Sequence, residues 1–159
     1  MEIGAKLRHS LKIFPLLRCE EIFLGVFTMA DMVYKIIIAG GRDFDDYDML
    51  KSEMNTYLFQ DRKLSPLLCG WPDEIEIVSG CAKGADALGE RYALRNGYLV
   101  TYFPANWNQH GRAAGPIRNR EMAEYAGTCV VFWDGKSRGS KNMIDTAREL
   151  SLDTHVVSY

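Results

Sequence analysis

The sequence predicts an α/β three-layer sandwich around a five-stranded parallel sheet, and three observations carry that reading. The first is Lys35-Ile36-Ile37-Ile38-Ala39-Gly40-Gly41-Arg42-Asp43-Phe44, an unbroken apolar run entering two glycines. Such a run is the mark of a strand covered on both faces. The second is the regular alternation of strand-like and helix-like segments from Val33 onward, the pattern of βαβ units. The third is that four strand ends run into glycine-rich or basic loops. In parallel sheets ligands lie outside those carboxyl ends, which puts residues 40–44 at the centre of interest.

Strand one is expected at 34–39. Helix one follows at 45–59, after an acidic start at Asp45, Asp46 and Asp48, with Tyr47, Leu50, Met54, Tyr57 and Leu58 on one face. Residues 60–73 carry Pro66, Gly70 and Pro72 and read as a connection. Strand two spans 74–78, and helix two spans 85–95 with Asn96-Gly97 as its stop. Strand three is 98–103. A polar loop covers 104–115, and helix three starts at Pro116, proline being favoured at the first helical position. Strand four is 128–133, helix four is 140–150 with Ser140 as a plausible N-cap, and strand five is 155–158.

Length and composition are those of one globular domain: 159 residues, 47% hydrophobic and 25% charged. A net charge of −2 argues against a general nucleic-acid or membrane binder while leaving room for a local basic site. Cys19, Cys69, Cys81 and Cys129 are widely spaced without a C-x-x-C pair, which suits free thiols in a reducing cytoplasm. His9, His110 and His155 lack ligand spacing, so no metal site is expected, and no cofactor is called for. Residues 1–31 hold two short apolar runs separated by Arg18, Glu20 and Glu21. Neither approaches the roughly 20 residues that span a bilayer, and no signal-peptide cleavage site follows. They are expected to be an extended start or an appendage, with an amphipathic docking segment as the alternative, ahead of a domain over 32–159. Whether the chain forms homo-oligomers is left open.

The loops carry the chemistry. Ser79-Gly80-Cys81-Ala82-Lys83-Gly84-Ala85-Asp86 precedes a helix and can turn several amides toward an anion. It is neither a P-loop nor G-x-G-x-x-G, and a tight turn needing glycine explains it equally well. Between Ala105 and Arg120 no acid occurs, yet Arg112, Arg118 and Arg120 do. Arg118 and Arg120 fall in early turns of a helix, where the macrodipole disfavours cations by ~0.3–1 kcal/mol each. Arg118 is therefore read as an anion ligand and Arg120 as solvent-facing or paired with Glu121 or Glu124. The loop Trp133-Asp134-Gly135-Lys136-Ser137-Arg138-Gly139-Ser140-Lys141 is again basic and glycine-rich. Phe44, Trp107 and Trp133 offer aromatic faces or serve as core lids. Asp43, Asp86 and Asp134 can receive ribose hydroxyls, although Asp86 also suits a helix start and Asp43 a pair with Arg42. Backbone donors, cations, rings and a few carboxylates fit a nucleotide or sugar phosphate, and not a purely apolar ligand.

Five ordered motifs strengthen this. Gly40-Gly41-Arg42-Asp43-Phe44, Ser79-Gly80-x-x-x-Gly84-Ala85-Asp86, Pro104-Ala105-x-Trp107, Ala114-Gly115-Pro116-Ile117-Arg118-Asn119 and Trp133-Asp134-Gly135-x-Ser137-x-Gly139-Ser140 together resemble the YspA-type, YpsA-related branch of the SLOG superfamily, over about 33–158. The resemblance implies a Rossmann-like fold shared with Lonely Guy phosphoribohydrolases and the DNA-processing protein A. It also implies binding of a nucleotide-derived ligand, of ADP-ribose-like type, in a branch with many phage or mobile-element members. The expected site is Gly40, Gly41, Arg42, Asp43, Ser79, Gly80, Lys83, Gly84, Asp86, Trp107, Gly115, Arg118, Asn119, Trp133, Asp134, Gly139 and Ser140. Phosphate is expected on the amides of Gly40-Gly41, Gly80–Gly84 and Gly139-Ser140, with Arg118 as counter-charge. Lonely Guy enzymes pair Arg-Lys with a Gly-Gly-x-Gly-Thr-x-x-Glu loop. Here the lysine is Asn119 and the glutamate has no counterpart, so N-glycosidic cleavage ranks below binding, since an oxocarbenium-like sugar calls for a nearby carboxylate. Single-stranded DNA binding, by likeness of 79–86 to the DNA-processing protein, ranks third on the acidic overall charge.

Overall fold

The computed structural model describes residues 33–60 and 74–159; the expected N-terminal appendage and most of the 60–73 connection lie outside them. The described chain runs β1 (Val33–Gly40), α1 (Tyr47–Asn55), a π-helical turn (Thr56–Gln60), β2 (Glu74–Ser79), α2 (Ala85–Asn96), β3 (Leu99–Tyr102), α3 (Trp107–His110), a 3-10 turn (Gly111–Ala113), α4 (Ala114–Tyr125), β4 (Thr128–Trp133), α5 (Arg138–Glu149) and β5 (Asp153–Ser158).

The sheet is all parallel with strand order β3-β2-β1-β4-β5. β1 is central, and its alternation serves both faces at once. Ile36 and Ile38 pack with Leu50 and Met54 of α1 and Tyr92 and Ala93 of α2. Ile37 and Ala39 pack with Met122 and Ala123 of α4 and Met143, Ile144 and Ala147 of α5. The three central isoleucines are fully buried, so each contributes about 1.5–3 kcal/mol of apolar burial. Gly89 of α2 lies where a Cβ would come within 2.9 Å of Ile38, which is why that helix can press so close to β1.

Three expectations are corrected. Helix three does not begin at Pro116. The 104–115 segment, expected to be a loop, is largely helical, because Asn106 caps α3 by accepting from the Gln109 amide at 3.1 Å and α4 starts at Ala114. Pro116 is its third residue, where the missing N–H has no intrahelical acceptor anyway. Ser140 is not the N-cap of the last helix. Asp134 Oδ1 accepts from the amides of Lys136 and Ser137, and that turn delivers Ser137 as the cap, its hydroxyl accepting from the Ser140 amide. Helix one begins at Tyr47, with Asp46 outside it as cap.

Candidate functional site

Strand order reverses between β1 and β4: from β1 the chain moves outward to β2 and β3, then returns to β4 on the other side. At such a switch point the loops splay apart and leave a crevice. A cleft of about 520 Å³ lies there, bordered by Ala39 and Gly40 at the tip of β1, the β2–α2 loop, α3, and the first turns of α4 and α5.

The glycines at the tip of β1 serve packing. The Gly41 amide donates to the Phe132 carbonyl at 3.1 Å, extending the β1–β4 ladder by one residue, and its carbonyl accepts from Ala85 at 3.2 Å. A Cβ on Gly40 would sit 2.7 Å from that of Ala85. The expected phosphate contact at the Gly41 amide is thus already spent on the sheet. Gly84, at φ +79°, lets the second loop cross close over Arg42, whose Cα would lie 2.8 Å from an added Cβ.

The 79–86 loop does form an amide cradle, but the chain fills it. Ala82 donates to Asp86 Oδ2 at 3.3 Å, Gly80 also donates to that carboxylate, and the Cys81 amide turns to Ser79 Oγ at 3.1 Å. Arg118 Nη1 lies 3.6 Å from Asp86 Oδ2 and donates to the Gly80 carbonyl, while Nε donates to Asn119 Oδ1 at 3.1 Å. Burial pushes the Asp86 carboxyl above the usual range, and the Arg118 guanidinium, then the Ala82 amide, pull against that. Two expectations change together here: the carboxylate on the Gly80 and Ala82 amides is Asp86, and Arg118 is its partner. Ser79, 1% exposed, donates to Glu90 at 2.6 Å and holds the loop's root.

Asn119 is equally committed. Its Nδ2 donates to Asn142 Oδ1 at 2.9 Å and reaches the Gly139 carbonyl at 3.4 Å, tying the first turns of α4 and α5 together. Trp133 donates to the Ser137 carbonyl and packs with the second face's core. It and Asp134, Ser79, Gly41, Gly80, Lys83 and Gly84 do not line the cleft, whereas Gly40, Arg42, Asp43, Asp86, Trp107, Gly115, Arg118, Asn119, Gly139 and Ser140 do. Phe44 is 3% exposed and stacks on Phe132 at 4.8 Å, a core lid and not an open face. The ring that does face the cleft is Trp107, 51% exposed, with the Arg42 guanidinium 6.0 Å from its centroid.

Two cationic lining residues outside the expected set are Arg112 and Arg138. Both were visible as cations in loops of low acidity, but only the fold turns them inward to one rim. Neither forms an ion pair among the described residues. Arg120 points away and pairs with Glu149 at 2.7 Å. Among the described residues no three His, Cys, Asp or Glu side chains converge as a metal site requires, and no helix is long and apolar enough to cross a membrane.

A parallel sheet in this order, with its crevice at the switch point, makes the chain a Rossmann-like α/β protein. It belongs to the YspA, cpYpsA-related SLOG family (YAcAr), whose sequence model matches residues 34–110. The Gene 61 protein of Mycobacterium phage D29 is 33% identical over 87 residues, covering 51% of this chain and 70% of the phage protein. Among solved structures, DNA processing protein A (DprA) from Streptococcus pneumoniae aligns over 80% of this chain with a TM-score of 0.49 and 19% identity. The match covers 51% of that protein, so this chain spans about half its length.

Proposed function

We propose that the cleft binds a nucleotide or nucleotide-derived ligand through its phosphate. The observation that carries this is the charge around one opening in a chain of net charge −2: Arg42, Arg112, Arg118 and Arg138 against Asp43 and Asp86. Arg118 and Asp86 cancel each other, which leaves three exposed guanidiniums facing one carboxylate. Guanidinium forks match phosphate oxygens in a bidentate manner, and the Arg138 and Gly139 amides at the start of α5 have no intrahelical acceptor. Phosphate therefore sits between Arg112, Arg138 and the start of α5, with Arg118 and Asn119 fixing that wall from behind. Trp107 offers a stacking face for a base, and the volume suits a ligand of that size.

Calorimetric titration with AMP, ADP, ADP-ribose and inorganic pyrophosphate tests this. Phosphate-bearing compounds should bind, adenosine should not, and Arg112→Ala or Arg138→Ala should each weaken binding about tenfold. No binding by any of the four sinks the proposal. The carboxylates on the same cleft support a second reading, cleavage of a nucleoside monophosphate to base and ribose phosphate. Chromatography of AMP incubated with the protein separates the two, since release of adenine requires turnover.

A further inference from the structure

Asp43 is an acid placed where the proposed ligand's phosphate would repel it. It borders the cleft beside three rim arginines, yet it pairs with none of them among the described residues. Its one hydrogen bond there is on Oδ1, accepted from the Tyr159 hydroxyl at 3.1 Å. That tyrosine is buttressed in turn: its ring lies 4.7 Å from Phe44, which stacks on Phe132 in the core. Gly41 makes the arrangement possible, because a Cβ there would fall against the Tyr159 hydroxyl and 2.7 Å from Asp43 Oδ1. The chain thus holds a carboxylate at the mouth of a basic cleft and leaves Oδ2 without a partner among the described residues.

Building on the nucleotide reading above, we infer that Asp43 is a specificity-determining residue that accepts hydrogen bonds from the ribose hydroxyls of the ligand. An ionised carboxylate only accepts, so it selects donors, and the other lining carboxylate, Asp86, is engaged by Arg118 and the Ala82 amide. Arg42 leans toward Trp107, while its neighbour Asp43 leans toward Tyr159. The two neighbours thus engage different partners, and both border the same cleft as Trp107. The same charge repels a phosphate esterified at the 2′ or 3′ position. The cleft accordingly takes ribonucleotides with a free diol in preference to deoxyribonucleotides.

The test compares ADP with 2′-deoxyADP and 3′-deoxyADP by calorimetry, on the native protein and on Asp43→Ala. Circular dichroism confirms that the exposed substitution leaves the fold intact. ADP should bind the native protein about tenfold more tightly than at least one deoxy analogue, the worth of one charge-assisted hydrogen bond. That preference should vanish in Asp43→Ala. Tyr159→Phe, which frees the carboxylate to turn, should reduce the preference in part. Equal binding of all three nucleotides overturns the inference and leaves the nucleotide reading standing. A preference that survives in Asp43→Ala removes Asp43 from the role. Failure of ADP and pyrophosphate alike to bind overturns both.

Discussion

Arg118 Nη1 stands 3.6 Å from Asp86 Oδ2, with side chains only 14% and 5% exposed, at the floor of the cleft. The pair joins the start of α4 to the start of α2 across the sheet's switch point. Breaking one half strands a buried charge. Arg118→Ala should cost about 3 kcal/mol in urea unfolding, the low end for a broken buried pair because the Gly80 and Ala82 amides still hold the carboxylate. The double variant Arg118→Ala/Asp86→Ala should lose clearly less than the sum of the two single losses. Strict additivity would mean the two residues do not act as a pair.

The same floor depends on Gly84, and a comparison of glycines isolates why. Gly84 and Gly97 both have positive φ, +79° and +73°, but Gly97 has open space around it, whereas an added Cβ at Gly84 would meet the backbone of Gly41 and Arg42. Gly97→Ala should cost about 1 kcal/mol, the backbone term alone. Gly84→Ala should cost at least about 2 kcal/mol more, since two loops must separate. Thermal melts of the two variants decide it, and equal losses would remove the close approach from the account.

The loops at the cleft floor also mark where the sequence stops being readable. The order and type of the strands were legible because periodicity and punctuation are local, and β1 shows it in four consecutive apolar residues. The charge character of the cleft was legible too, since Arg112 and Arg118 sit in an acid-free stretch. Which donors stay available was not legible. The Gly41 amide is taken by Phe132, the Gly80 and Ala82 amides by Asp86 and the Cys81 amide by Ser79, pairings made only when the chain folds. A glycine-rich loop looks the same on paper whether its cradle is empty or holds the chain's own carboxylate. On sequence alone the cap likewise falls at Ser140, and it is the turn set by Asp134 that gives it to Ser137.

Neighbouring residues on α4 should behave oppositely. Asn119 is 6% exposed and holds Asn142 and the Arg118 Nε, so Asn119→Ala should lose about 2 kcal/mol and leave Asn142 short of a donor. Arg120 reaches Glu149 at 2.7 Å, but both side chains are about half exposed. Solvent and salt weaken such pairs, so Arg120→Ala should unfold at the same urea concentration as the native protein. A large loss at Arg120 with none at Asn119 would reverse the assignment of which contact holds the two helices together.

Alkaline pH should weaken the fold, and the sign follows from its acids. Burial pushes the Cys129 thiol up from its ordinary 9.0 to about 12. Burial also raises Tyr57 and Tyr92, and raises Tyr159 from 10.0 to about 12, assisted there by the hydrogen bond to Asp43. In each case the folded chain keeps a proton that the unfolded chain releases; the Cys129 and Tyr159 contributions are complete below their ordinary values of 9.0 and 10.0 and are lost as pH rises through about 12. The melting temperature should hold steady from pH 7 to 8.5 and then fall progressively. Cys129→Val should flatten the first part of that fall, because the thiol is the earliest of these groups to ionise in the unfolded chain. An identical pH profile in that variant would show that Cys129 contributes nothing to the alkaline loss.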